Sequence, residues 1–155
     1  MLIFNEFELT LPEGFHEMTE DEKRSLNFWG GKDGVCISDP ERHIVVSFGA
    51  KAVGFLMGKL VRETKVADRM ESALSKAMND YGYVYEGAVE RTVCGKEASG
   101  FIYTYTAKEI PMTGESLVVK SGKTLLYIHY YTRTALRDEN LPVWEKLLLD
   151  TVETV

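Results

Sequence analysis

Residues 65 to 80 carry one apolar stripe, with Val66, Met70, Ala73, Leu74, Ala77 and Met78 at offsets 0, 4, 7, 8, 11 and 12. An α-helix completes a turn every 3.6 residues, so these side chains share a face, while Asp68, Glu71, Ser72, Ser75 and Lys76 point away. On both sides of this helix the apolar period drops to two. Phe7, Leu9 and Leu11 alternate with Glu6, Glu8 and Thr10, which is the signature of a half-buried strand. A striped helix between alternating strands must bury its stripe on their apolar faces, which dictates helices packed on an antiparallel sheet.

The remaining segments fill in that plan. Thr19-Glu20-Asp21-Glu22 reads as a capping box opening a short helix that runs to about Phe28, stopped by Gly30-Gly31. Strands follow at Val35 to Ser38 and His43 to Gly49, joined by a turn at Asp39-Pro40-Glu41-Arg42. Beyond the long helix, Val84–Val93 pairs with Glu97–Ala107 around Cys94-Gly95, and Glu115–Lys120 with Lys123–Thr132 around Ser121-Gly122. Ile110 to Gly114 is expected as a loop between the hairpins. Asn140 is expected to cap a closing helix with Pro142 in its first turn and Trp144, Leu147, Leu148 and Val152 on its buried stripe. The expected fold is α+β, a six- to seven-stranded antiparallel sheet flanked by helices, in a single domain over residues 1–155.

Composition restricts the function. At 155 residues, folding buries roughly 70% of the unfolded surface without staples. A net charge of −6, with no basic cluster longer than Lys23-Arg24, argues against nucleic acid and against anionic membranes. The N-terminal residues carry neither a basic region nor an apolar run of signal-peptide length, and the two cysteines, Cys36 and Cys94, read as reduced thiols; a cytoplasmic protein is expected.

The order of features resembles the superfamily of PsbP, the photosystem II extrinsic protein, and Mog-type Ran-binding proteins. The residues that carry the likeness are Phe7-Glu8-Leu9-Thr10-Leu11-Pro12-Glu13-Gly14-Phe15, the strand and long helix from Ile44 to Asp80, Thr92-Val93-Cys94-Gly95-Lys96-Glu97-Ala98 leading to Phe101-Ile102-Tyr103, and Leu126-Tyr127-Ile128 through Thr151. The resemblance implies an α/β/α sandwich and an accessory or protein-binding module. It transfers no ion site and no Ran contact.

Motifs for chemistry are missing from the sequence. His16, His43 and His129 lack metal-ligand spacing; adjacent strands could bring His43 and His129 together, but the expected reading is two isolated imidazoles on a sheet. Gly122-Lys123-Thr124 has Leu117 where a phosphate loop needs glycine, and there is no Gly-x-Ser-x-Gly elbow. A hydrolase would need His43 or His129 beside a Cys, Ser or carboxylate in a cleft. No cofactor is therefore expected. The leading expectation is a non-enzymatic cytoplasmic protein-interaction module, its partner unknown and a second copy of itself possible, contacting through Trp29, Phe55, Leu56 and Met57. The alternative is a small-ligand domain. Its pocket would use Tyr103 and Tyr105 on one strand and Tyr127, His129 and Tyr131 on another, with Arg133 as an anion contact at the rim; the other reading of the same residues, and the preferred one, is cross-strand aromatic packing beneath a helix.

Overall fold

The computed structural model describes residues 1–24, 34–53 and 62–154. Seven strands form one antiparallel sheet, in the order β3 (His16–Glu17), β4 (Val35–Asp39), β5 (Ile44–Ala52), β9 (Thr124–Arg133), β8 (Ile110–Ser121), β7 (Lys96–Ala107) and β6 (Val84–Val93). Three short strands, β1 (Leu2–Ile3), β2 (Phe7–Leu9) and β10 (Thr151–Glu153), make a second sheet with β2 in the middle. The helices among the described residues are α1 (Glu20–Arg24), α2 (Glu63–Ala77) and α3 (Arg137–Leu149).

Local chemistry explains most of these boundaries. The capping box forms at α1: the Glu22 N–H donates to Thr19 Oγ1 at 3.2 Å, and the Thr19 N–H donates to Glu22 Oε1 at 3.1 Å. The hairpin joining β6 and β7 turns at Cys94 and Gly95, with φ of 55° and 72°, as a two-residue turn between twisted strands requires. Gly82, at φ 71°, closes the single 3-10 turn that follows α2.

The sheet divides the core. On one face, α3 and the small sheet cover Ile37, Ile44, Val46, Phe48, Leu117, Val119, Leu126 and Ile128, with Trp144, Leu147 and Leu148 inserted from α3. On the other face, α2 lays Met70 and Leu74 over Phe101, Tyr103, Tyr105 and Tyr131. Val66 and Ala67, near the start of α2, pack on Val118 and Leu125.

Several expectations need correction. Ile110 to Gly114 is strand, not loop: β8 begins at Ile110, and the chain reverses just before it at Lys108-Glu109, φ 49° and 69°. That turn carries neither glycine nor asparagine, so the usual marker is missing. Asn140 does not cap α3. It lies inside the helix, 2% exposed, and its Nδ2 donates to the Arg42 carbonyl and to Thr132 Oγ1, both at 2.9 Å. Val152 leaves the helical stripe and stands 48% exposed on β10, whose pairing with β2 was not foreseen. Ala73 and Ala77 are exposed while Ala67 is buried, so the stripe on α2 is rotated toward Val66–Ala67. His43 precedes β5 in a left-handed turn conformation, φ 56°.

Candidate functional site

Four strands present the face beneath α2, and their register fixes which side chains meet. One row runs Val45, Tyr131, Gly114, Tyr103 from β5 through β9 and β8 to β7. The neighbouring row runs Ser47, His129, Ser116, Phe101. The expected tyrosine and histidine face therefore exists, with one difference: β8 lies between the strand of Tyr103 and Tyr105 and the strand of Tyr127, His129 and Tyr131.

Gly114 is what lets the two groups communicate across β8. A Cβ built there would lie 2.3 Å from Tyr103 Cζ, so the Tyr103 ring occupies the space a side chain would fill. The ring crosses β8 directly, and Tyr103 is fully buried there beside Gly114. Burial pushes the phenols of Tyr103, Tyr105 and Tyr131 well above the usual tyrosine range, because the phenolate loses its water. They remain neutral donors.

His129 and Ser116 share a hydrogen bond of 2.8 Å between Nδ1 and Oγ. This meets half of the condition for a hydrolase. The other half is access, and His129 is 4% and Ser116 0% exposed, with neither among the lining of the three cavities described for this protein. Burial alone pulls the His129 pKa down to about 4, which keeps the imidazole neutral. His43 and His129 are separate imidazoles, as expected. His129 stands opposite Ser47, four positions along β5 from His43, or roughly 13 Å at strand spacing.

A cavity opens where this face runs out. It has a volume of about 550 Å³ and sits between the sheet and the C-terminal end of α2. Val45, Tyr105 and Met112 form its floor, with Met78 and Tyr81 at the helix end. The β4–β5 turn contributes Asp39, Pro40 and His43, the β7–β8 turn contributes Ala107, Lys108 and Ile110, and Arg133 enters from the end of β9. The lining is mostly apolar and the volume suits a small organic ligand. Of the tyrosine–histidine set, only Tyr105 reaches it; Tyr103, Tyr127, His129 and Tyr131 do not line it. Arg133, expected at the rim, does line it. Tyr81, Lys108 and Met112 belong to no sequence pattern, since they come from element ends, and Met78 reads in the sequence only as part of the helical stripe.

The opposite face has its own polar centre. Arg91 donates to both Glu115 oxygens, Nε at 3.0 Å and Nη2 at 2.7 Å, and Trp144 Nε1 donates to Glu115 Oε2 at 2.8 Å. Tyr130 stacks on Trp144 with ring centroids 4.4 Å apart. Every lone pair this carboxylate spends is on a structural partner, so the cluster fastens α3 to the sheet.

Trp29, Phe55, Leu56 and Met57, expected as partner contacts, lie outside the described residues. No group of three or more metal-ligating side chains occurs among the described residues, and no described helix is long and apolar enough to cross a membrane.

No family model and no curated protein matches this chain. Solved structures do. The cyanobacterial PsbP (CyanoP) of Synechocystis sp. PCC 6803 aligns over 96% of this chain and 86% of its own, with a TM-score of 0.64 at 15% identity. LpqN, involved in cell envelope biogenesis of Mycobacterium tuberculosis, aligns over 96% of this chain and 83% of its own, with a TM-score of 0.59 at 13% identity. A Bacteroides thetaiotaomicron structure gives a TM-score of 0.58 at 12% identity, over 96% of this chain and 45% of its own. The fold is PsbP-like, an α+β architecture built on a seven-stranded antiparallel sheet.

Proposed function

We propose that this chain is a non-enzymatic binding domain that holds a small, largely apolar molecule in the cavity at the end of the tyrosine face. The observation that carries this reading is the cavity of about 550 Å³, floored by Val45, Tyr105 and Met112 and flanked by Met78. Methionine and tyrosine give such a site an adaptable apolar wall with few polar demands. The closed Ser116–His129 pair supports binding over catalysis, since a nucleophile beneath a helix meets no substrate. We place the protein in the cytoplasm, a reading supported by cysteines that form no disulfide. A role in protein contact through Trp29, Phe55, Leu56 and Met57, and a kinship with Mog-type Ran-binding proteins, extend this proposal from the sequence alone.

The test is titration of the protein with Nile red, a neutral apolar dye, alongside an Ala107→Trp variant that fills the cavity mouth. Saturable dye binding by the unmodified chain, lost in a variant whose near-UV circular dichroism shows it folded, is the expected result. Equal binding by both proteins, or none by either, would overturn the assignment.

A further inference from the structure

We propose that the molecule held in this cavity is an anionic amphiphile, a carboxylate on a hydrocarbon body, with its head against Arg133, Lys108 and His43. This rests on the binding reading above and specifies its ligand.

The chain as a whole is acidic, with a net charge of −6, yet three basic side chains from three separate segments border one apolar cavity. Lys108 stands in the β7–β8 turn, His43 in the turn before β5, and Arg133 at the end of β9. None of the three side chains makes a hydrogen bond or ion pair with another described residue. Arg133 matters most. It is half-buried, it pairs across the ladder with the apolar Met112, and no carboxylate answers its charge. A partly desolvated guanidinium without an acid is poised for one from outside, and its planar fork matches a carboxylate with two parallel hydrogen bonds.

The acid that lines the same cavity does not compete. Asp39 is 1% exposed, and its carboxylate is already taken. Oδ2 receives Arg42 Nη1 at 2.5 Å, and Oδ1 accepts the backbone N–H groups of Glu41 and Arg42 at 3.1 and 3.2 Å. Its charge is spent on holding the turn that carries His43. The field inside the cavity mouth is therefore set by Arg133 and Lys108, and the floor beyond them is set by Tyr105 and Met112. A molecule that satisfies both has one negative end and one hydrocarbon end.

The experiment is displacement of Nile red by decanoate and by decanol, which share a chain and differ in charge, at low salt. The unmodified protein is expected to prefer decanoate by about tenfold or more, the advantage a charged hydrogen-bonding pair supplies. In Arg133→Gln that ratio is expected to fall toward one, and in Lys108→Gln, a substitution in an exposed turn, to fall part of the way. Equal affinity for the two molecules in the unmodified protein, or a preference that survives both substitutions, overturns the anionic assignment while leaving the cavity as an apolar binding site. Failure of both molecules to displace bound dye, or of the dye to bind, overturns the binding reading along with it.

Discussion

The two faces of the seven-stranded sheet solve the problem of burying polar groups in different ways. Beneath α3 the face is aliphatic, and its polar centre is ionic: Glu115 meets Arg91 and the Trp144 N–H, with each partner within 3.0 Å. Beneath α2 the face is built from tyrosine, histidine and serine, with burial keeping the phenols and the imidazole neutral. A buried charge tolerates no missing partner, so Glu115 has to be fully met. Both faces leave room at their edges: a cavity of about 420 Å³ borders Arg91, Glu115 and Trp144 on the α3 side, as one of about 550 Å³ ends the tyrosine face. The difference lies in the lining, which is ionic and already paired on the first side and mostly apolar on the second.

The largest test of this contrast is Glu115→Ala. It strands Arg91 and the Trp144 N–H beneath α3, and urea unfolding is expected to show a loss of about 3–5 kcal/mol. Glu115→Gln keeps an acceptor and should cost clearly less. If both cost under about 1 kcal/mol, the α3 face is not fastened ionically and the contrast collapses.

The second test is acid. His129 has a folded-state pKa depressed to about 4, against about 6.5 when unfolded, so the unfolded chain binds the proton first. Its contribution to stability is complete above the unfolded value and is lost as pH falls from about 6.5 to 4, a total of about 3 kcal/mol. Native carboxylates such as Glu22 and Glu153, whose pKa values are lowered by His16 and Lys96 respectively, add their own acid loss at lower pH. The measurement is therefore the difference in unfolding free energy between the unmodified chain and His129→Gln across pH 4 to 7. A difference that does not change with pH would remove His129 from the account.

The smallest expected effect is at Gly114. Gly114→Ala forces the Tyr103 ring off β8 and is expected to cost about 1–3 kcal/mol by overpacking. Adding Tyr103→Leu should recover part of that loss, because the two changes act on one contact. Purely additive costs in the double variant would show that the ring does not depend on the glycine.

Much of the fold could be read where local chemistry writes it plainly. Thr19 and Glu22 announce their capping box, Cys94-Gly95 marks its hairpin, and the two-residue period separates Tyr127, His129 and Tyr131 from Leu126, Ile128 and Tyr130. The failures share a cause. Lys108-Glu109 turns without a turn residue, so the pattern points to Ile110 to Gly114 for the reversal, and Gly114 reads as a loop glycine although it serves a ring on another strand. Asn140 looks like a cap until Arg42 and Thr132, distant in sequence, claim its side chain. The site followed the same rule. The tyrosine face was legible as periodicity, and Arg133 as a residue just past it. The cavity was not legible, because Met78, Lys108 and Met112 are brought together only by how far α2 and two hairpins extend.

The pairing of β2 with β10 has a consequence for biogenesis. Phe7 and Leu9, both fully buried, lie on a strand whose partner on one side is Thr151–Glu153, from the opposite end of the described chain. A ribosome releases β2 well before β10, on the order of ten seconds apart at ordinary elongation rates. Throughout that interval the hairpins from β6 to β9 have neighbours within reach, while β2 has only β1 and waits with its apolar side chains uncovered. The nascent chain therefore leaves this small sheet incomplete, with Ile3, Phe7 and Leu9 uncovered, until β10 emerges.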